Sequence, residues 1–128
     1  MTDKVGLLDT NVIIDISKNL IDANKILNKY NYLYISIISY VELLGYNFAS
    51  DEDLLIIKSI VNNIPISFID LEIANFAISY RKIKKIKIAD SLILATARKL
   101  NADLITSNIS DFINIDTNVK VTKPIRNK

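Results

Sequence analysis

Four acidic side chains are candidates for chemistry because each stands at the start or the end of a predicted element. They are Asp9, Glu42, Asp90 and Asp111. The chain contains no histidine and no cysteine. This excludes imidazole acid–base catalysis, a Ser-His-Asp triad, a cysteine nucleophile and zinc held by His or Cys. Any catalysis must therefore use carboxylates, amines, hydroxyls or a bound ion.

The first candidate, Asp9, ends a short apolar run at residues 5–8. This pattern predicts a buried strand whose last residue projects a carboxylate beyond the edge of a sheet. Ligands of open α/β sheets bind beyond the carboxyl ends of the strands, so Asp9 is well placed to hold a hard cation. From this stretch alone, a turn residue or the N-cap of a short helix beginning at Thr10 is an equally good interpretation.

The elements that must position these acids alternate along the chain. Strands are predicted at 5–8, 32–36, 65–69, 103–106 and 119–122, and helices at 20–30, 39–47, 50–61 and 88–100. A further helix is predicted from Asp70 into the basic run at 81–87. The alternation predicts an α/β fold, a single α/β/α domain over 1–128 with a central four- to five-stranded parallel sheet. Residues 123–128 are expected to form a loose tail.

Spacing also predicts details of three helices. Ser39 and Glu42 match a capping box, in which the Ser39 hydroxyl accepts from the Glu42 amide and Glu42 reaches back. The helix at 88–100 is apolar around nearly all of its circumference, so it should be central. A buried stripe of the helix at 20–30 is predicted from four residues at helical spacing. These are Leu20, Ala23, Leu27 and Tyr30.

The carboxyl ends of parallel strands meet at one edge, so the acids and the Asn108/Asp111 region should converge there. Carboxylates brought together repel one another, and a buried unpaired charge is costly, so something positive must share the site. Oxygen ligands without His or Cys favour Mg²⁺ or Mn²⁺. Such an ion lowers the pKa of a bound water and offsets the charge that develops on a phosphoryl group.

Each acid also has an ordinary structural interpretation. Glu42 is explained by the capping box alone, Asp90 by the positive end of a helix dipole, and Asp111 by a turn. The run 81–87 holds five cations in seven residues and indicates a solvated helix end more readily than an RNA groove, although contact with phosphate stays open. The remaining acids of note are expected to be structural or solvated. They are Asp15, Asp51, Asp53 and Asp70.

Four stretches, in order and at compatible separations, resemble the signature motifs of PIN-domain ribonucleases, and most closely those of VapC toxins from toxin–antitoxin pairs. They are LLDTN at 7–11, SYVEL at 39–43, IADSLILATA at 88–97 and LITSNISDF at 104–112. The resemblance covers residues 5 to about 122. It implies a metal-dependent endoribonuclease that hydrolyses RNA phosphodiester bonds and acts as the toxin of such a pair.

The resemblance also implies the residues and partners of that activity. The cofactor is Mg²⁺ or Mn²⁺, with Thr10 and Thr106 supporting the acids. The expected partners are an RNA substrate, with transfer RNA as one candidate, a small antitoxin protein and a second copy in a homodimer. No apolar run is long enough for a membrane span and no secretion signal is evident, so a cytoplasmic protein is expected. The implied catalytic and metal-binding residues are Asp9, Glu42, Asp90 and Asp111, with Asn108 as a further metal ligand.

Two other functions are compatible with the sequence. The family often has Asp where this chain has the neutral Asn108, and this favours a catalytically weak or inactive PIN-fold protein that binds RNA or protein. A phosphoaspartyl enzyme would use Asp9 as the phosphoacceptor. Such enzymes need a second acid close to the first, and here Asp9 is followed by Thr10 and Asn11, which argues against this function.

Overall fold

A five-stranded parallel sheet forms the centre of the molecule in a computed structural model that describes residues 3–127. The strand order is β3-β2-β1-β4-β5, and every neighbouring pair is parallel. The predicted α/β class and parallel sheet are confirmed. The strands are β1 (Val5–Leu8), β2 (Tyr32–Ser36), β3 (Ile66–Ser67), β4 (Asp103–Ile105) and β5 (Val121–Thr122).

Helices connect the strands and cover both faces of the sheet. A 3₁₀ turn, Ile109–Asp111, follows β4. The helices are α1 (Thr10–Ser17), α2 (Ala23–Leu27), α3 (Ile37–Leu44), α4 (Asp51–Val61), α5 (Leu71–Ile83) and α6 (Ile88–Leu100). No helix within residues 3–127 is long and apolar enough to cross a membrane.

Two hydrophobic cores lie on opposite faces of the sheet. Successive residues of a strand face opposite sides, and in β1 Leu7 belongs to one core and Leu8 to the other. The first core contains α5 and α6, and the second contains α1, α3 and α4. Six residues of α6 are buried, as its nearly complete apolar circumference predicts. The sheet therefore fixes where α1 and α3 begin, because each follows a strand directly.

The predicted capping box of Ser39 and Glu42 is wrong. Strand β2 runs directly into α3, so its last residue, Ser36, is the N-cap and accepts a hydrogen bond from the amide of Ile38 at 3.0 Å. Ser39 lies inside α3 and is buried. Because the helix begins one turn earlier than predicted, the capping explanation for Glu42 no longer applies.

The predicted helix at 20–30 is also wrong in its length and its buried face. The observed α2 is Ala23–Leu27, begins after the N-cap Asp22, and buries Ile26. Leu27 is 56% exposed. The chain turns before this helix, where Asn19 adopts a left-handed conformation with φ 60°. This turn shortens the helix and changes which of its sides faces the core.

The prediction of a loose tail is wrong for residues 123–127, and Lys128 lies outside the described residues. Arg126 forms an antiparallel bridge with Ile21, and its guanidinium forms a 3.0 Å ion pair with Asp15. The amide of Asn127 donates to the carbonyl of Leu20 at 2.8 Å. These contacts join residues far apart in sequence, so no local pattern in the tail predicts them.

Candidate metal centre

Asp9 lies at the carboxyl end of the central strand β1 and is only 6% exposed. Its Oδ1 accepts from the amide of Thr10 at 2.8 Å, and its Oδ2 accepts from the buried hydroxyl of Thr106 at 2.8 Å. Asn11 donates to the same Oδ2 at 3.3 Å. Asp9 is therefore both the N-cap of α1 and an acid at the carboxyl edge of the sheet.

Burial dominates the electrostatics of Asp9 and raises the pKa of its carboxyl group. The hydrogen bonds from Thr106 and Thr10 oppose this rise, whereas the charges of Glu42 and Asp111 add to it. The donors around Asp9 are neutral hydroxyl, amide and carboxamide groups. They orient the carboxylate without neutralising its charge.

Glu42 is held towards Asp9 by a residue of α1. The hydroxyl of Thr10 donates to Oε1 of Glu42 at 2.7 Å. Oγ1 of Thr10 also lies 3.0 Å from Oγ of the buried Ser39. Thr10 is thus adjacent to Asp9 in sequence and in contact with α3. The contacts of Thr10 and Thr106 with the acids confirm the supporting positions expected for these two threonines.

Asp90 lies in the first turn of α6 and is partly buried. Burial raises the pKa of its carboxyl group to about 6, and the charges of Asp9, Asp111 and Glu42 act in the same direction. The charge of Lys87 acts in the opposite direction and lowers this pKa. Asp90 is therefore a carboxylate whose ionised form is poorly compensated within the chain.

Asn108 and Asp111 follow β4 and form another wall of the same cleft. The amide of Asn108 donates to Oγ1 of Thr106 at 3.0 Å, which links this segment to the threonine that contacts Asp9. Asp111 is exposed, and its charge raises the pKa of both Asp9 and Asp90. Both residues expected from the last motif thus lie at the cleft.

The cleft is open, has a volume of about 270 Å³ and brings all of the predicted site residues together. Its lining also includes Lys87 and Asn11, which sequence reasoning did not single out as site residues. The sequence spacing indicates the position of Lys87, because Lys87 precedes Asp90 by three residues at the start of a helix and residues at this spacing are neighbours. The lining residues are Asp9, Thr10, Asn11, Ile14, Glu42, Lys87, Ala89, Asp90, Asn108 and Asp111.

The donor set of the cleft fits Mg²⁺ or Mn²⁺ better than a zinc site. All of the candidate ligands are carboxylate or carboxamide oxygens, the donors that hard cations prefer. Within residues 3–127 no group of three acidic side chains is arranged to hold an ion directly. Mg²⁺ commonly keeps several waters and binds through one or two carboxylates, so acids spaced around an open cleft suit it.

These features define an α/β protein with an acidic cleft at the carboxyl edge of a parallel sheet. The sequence model of the PIN domain family matches residues 6–118. The chain belongs to the PIN domain family. A search of curated proteins found no match.

Solved structures of toxin–antitoxin complexes have chains similar to this one. A toxin–antitoxin complex from Klebsiella pneumoniae contains a chain that is 28% identical, with a TM-score of 0.72, and the match covers 91% of this chain and 99% of that one. VapBC-1 from nontypeable Haemophilus influenzae is 25% identical, with a TM-score of 0.71 and coverages of 93% and 97%. DNA-bound VapBC from Salmonella typhimurium shares the fold, with a TM-score of 0.79, 19% identity and coverages of 94% and 98%.

Proposed function

We propose that this chain is a Mg²⁺- or Mn²⁺-dependent endoribonuclease and the toxin of a toxin–antitoxin pair. The observation that carries the proposal is the convergence of four carboxylates from separate elements on one cleft. Burial and mutual repulsion raise the pKa of two of them, Asp9 and Asp90, and among the described residues that line the cleft Lys87 is the one cation. Membership of the PIN domain family supports the same function.

In this proposal Asp9 and Asp90 hold the principal ion, directly or through water, and Asp111 and Asn108 complete the site. When bound, the ion supplies a more acidic water and stabilises charge on the phosphoryl group. Thr106, Thr10 and Asn11 keep the Asp9 carboxylate in one orientation through the hydrogen bonds described above. This arrangement reduces the reorganisation that the site needs during the reaction.

Glu42 is the proposed group that orients the attacking water and accepts its proton. The water oxygen forms a bond to phosphorus, the bond from phosphorus to the ribose oxygen of the leaving strand breaks, and that oxygen takes up a proton from solvent. The hydrogen bond from Thr10 to Oε1 of Glu42 leaves Oε2 for the water. With one oxygen held by Thr10 and the other open to water, Glu42 suits a general base, which must be within hydrogen-bond reach of the proton it removes.

The proposal includes partners and a compartment. A small antitoxin protein is the proposed inhibitor, because the similar chains from Klebsiella pneumoniae and Haemophilus influenzae come from toxin–antitoxin complexes. A homodimer and an RNA substrate such as a transfer RNA are proposed from the resemblance to VapC toxins, and a cytoplasmic location stays a prediction from the sequence.

RNA cleavage by matched variants tests the proposed function. Asp90→Asn removes one cleft carboxylate while keeping its shape, and Asp51→Asn makes the same change on the exposed first turn of α4. With Mg²⁺ or Mn²⁺ present, Asp90→Asn should cleave RNA about 100- to 1,000-fold more slowly than the unchanged chain. Asp51→Asn should cleave at the unchanged rate.

A different result favours the second candidate, a PIN-fold protein that binds RNA or protein without cutting. The neutral Asn108 and the absence, within residues 3–127, of three acids arranged to hold an ion favour this candidate. A folded, unchanged chain that binds RNA but leaves it intact with either ion would support it. Equal cleavage by Asp90→Asn and the unchanged chain would reject Asp90 as part of the site.

A further inference from the structure

A group of lysines beside the acidic cleft has no role in the proposed chemistry. We call residues 84–87, which connect α5 to α6, the lysine loop. Lys84, Lys85 and Lys87 are all exposed. The loop is held in place by Ile86, which is buried, and by the guanidinium of Arg81, which donates to the carbonyl of Ile86 at 2.6 Å. The lysines therefore extend from an anchored backbone.

The lysine loop borders the cleft at two points. Lys87 lines the cleft together with Asp90, and its charge lowers the pKa of Asp90. Nζ of Lys84 lies 3.5 Å from the carbonyl oxygen of Ile113, two residues beyond Asp111. The loop therefore extends positive charge from the cleft to the segment that carries Asp111.

The charges of the lysine loop are available to a ligand. Among residues 3–127 the side chains that form ion pairs with carboxylates are Arg98, Lys99 and Arg126, and none of the three loop lysines does so. Lys87 is also the N-cap of α6 and contributes no side-chain cap. The first-turn amides of α6 therefore add the positive end of a helix dipole to the same surface.

RNA approaching the cleft meets an electrostatic obstacle, because its phosphates are repelled by four carboxylates. Positive charge beside the cleft attracts the backbone and offsets this repulsion. Lysine is a flexible point charge that binds phosphate without reading bases. Three such charges on one short loop suit a chain of successive phosphates better than a single small anion.

We propose that the lysine loop binds the phosphate backbone of the RNA substrate beside the bond that is cut, with Lys87 closest to the cleft. The inference rests on the proposed function for its choice of RNA, and it assigns to the loop a task separate from catalysis. It predicts a contribution to affinity that is independent of base sequence and that weakens as salt increases.

Binding by two triple variants tests the proposal. The first is Lys84→Gln/Lys85→Gln/Lys87→Gln. The control is Lys25→Gln/Lys29→Gln/Lys58→Gln, which removes the same charge from exposed lysines. Lys25 and Lys29 belong to the segment that leads into the start of β2, and Lys58 belongs to the helix before β3. These controls therefore lie towards the amino ends of the strands, away from the cleft.

Fluorescence anisotropy with a short labelled single-stranded RNA, in buffer with a chelator to prevent cleavage, gives the affinity over a range of salt concentrations. At about 0.1 M salt the loop variant should bind at least about tenfold more weakly than the unchanged chain, and its salt slope should fall by about 2, since each phosphate contact on a single strand contributes about 0.7. The control should change the affinity by less than about twofold. Arginine at the three loop positions should restore binding.

Equal binding by the loop variant and the control would overturn the proposal. A labelled acidic peptide in the same assay distinguishes RNA from a protein partner, and a loss of binding confined to the peptide would also overturn it. The assay needs no cleavage, so its result is separable from the proposed activity. If the unchanged chain cuts no RNA but the loop variant still loses RNA affinity, the nuclease function fails and the assignment of the loop stands.

Discussion

The two ends of α6 place carboxylates in opposite electrostatic surroundings. At the N-terminal end Asp90 lies among other acids, and its pKa rises to about 6. At the C-terminal end Arg98 forms a 3.0 Å ion pair with Asp116, whose side chain is only 7% exposed. Burial raises the pKa of Asp116, but hydrogen bonds from Tyr80 and Asn118 and the charge of Arg98 bring it below its usual value.

A second acid near the C-terminal end follows the same rule. Lys99 pairs with Asp70, the N-cap of α5, and this contact lowers the pKa of Asp70. Asp116 and Asp70, which join elements of the fold, are thus each matched by a cation from α6. In the cleft, Asp9 and Glu42 are oriented by neutral donors, and the four acids of the lining outnumber its one lysine. This difference is what the proposed cation site requires, because a cation from outside the chain would balance that charge.

Breaking the matched pair should have the largest effect on stability. Asp116→Ala leaves Arg98 and the hydroxyl of Tyr80 without their acceptor, and should lower the free energy of unfolding by about 2–3 kcal/mol. Urea denaturation measures this change. Cleavage by the folded variant should stay within about twofold of the unchanged chain. A loss of cleavage without a loss of stability would show that the ion pair at the C-terminal end of α6 serves the cleft and not the stability of the fold.

Removing charge from the cleft should have the opposite effect on stability. Asp90→Asn relieves the repulsion among the acids, so at pH 8 with a chelator it should raise the free energy of unfolding by about 1–2 kcal/mol. This figure is smaller than the full pKa shift implies, because Asp90 is partly exposed. The same denaturation series measures it. A variant that is less stable than the unchanged chain would mean that Asp90 is already compensated.

The neutral donors around Asp9 should tune cation affinity. Thr106→Val replaces the buried hydroxyl with a methyl group and removes the hydrogen bond to Oδ2 of Asp9. Affinity for Mn²⁺, measured by calorimetry, should fall by about tenfold, the lower end of the effect of such supporting groups. Thr106→Ser should keep most of the affinity because it retains the hydroxyl. If Thr106→Val and the unchanged chain bind Mn²⁺ with equal affinity, the hydroxyl of Thr106 does not contribute to the ion site.

The smallest expected effect is the difference in stability between Asp90→Asn and the unchanged chain at low pH. The pKa of Asp90 is about 6 in the folded chain and 3.8 in the unfolded reference. The folded state therefore holds a proton more tightly, and the stability linked to this group is lost as pH rises through about 6. At pH 4 the stability difference between Asp90→Asn and the unchanged chain should shrink to less than about 0.5 kcal/mol. A difference that is constant from pH 4 to 8 would contradict the assigned shift.

Much of this arrangement is predictable from the sequence. Apolar runs and helical spacing are local signals, and they locate most strands, as well as α4 and α6, close to their observed bounds. The convergence of Asp9, Glu42 and Asp90 is also predictable, because in a parallel sheet the segment after each strand and the start of a helix that leads back into a strand lie at the same edge.

Tertiary contacts decide the features that the sequence does not predict. Ser36 and Ser39 are both plausible caps, and only the direct transition from β2 into α3 selects Ser36. The tail is fixed by Asp15 and Ile21, which lie more than a hundred residues earlier. The lining position of Lys87 depends on Arg81, which holds the loop before α6. Each of these outcomes depends on residues outside the local pattern.

We propose that the uncompensated acids of the cleft bind a divalent cation. Anomalous X-ray diffraction from crystals of the full chain soaked in Mn²⁺ locates such an ion. We expect an anomalous peak in the cleft beside Asp9 and Asp90, and no such peak there in crystals of Asp9→Asn. A cleft without Mn²⁺, at a concentration of the ion that supports RNA cleavage in solution, would mean that these acids do not form the ion site.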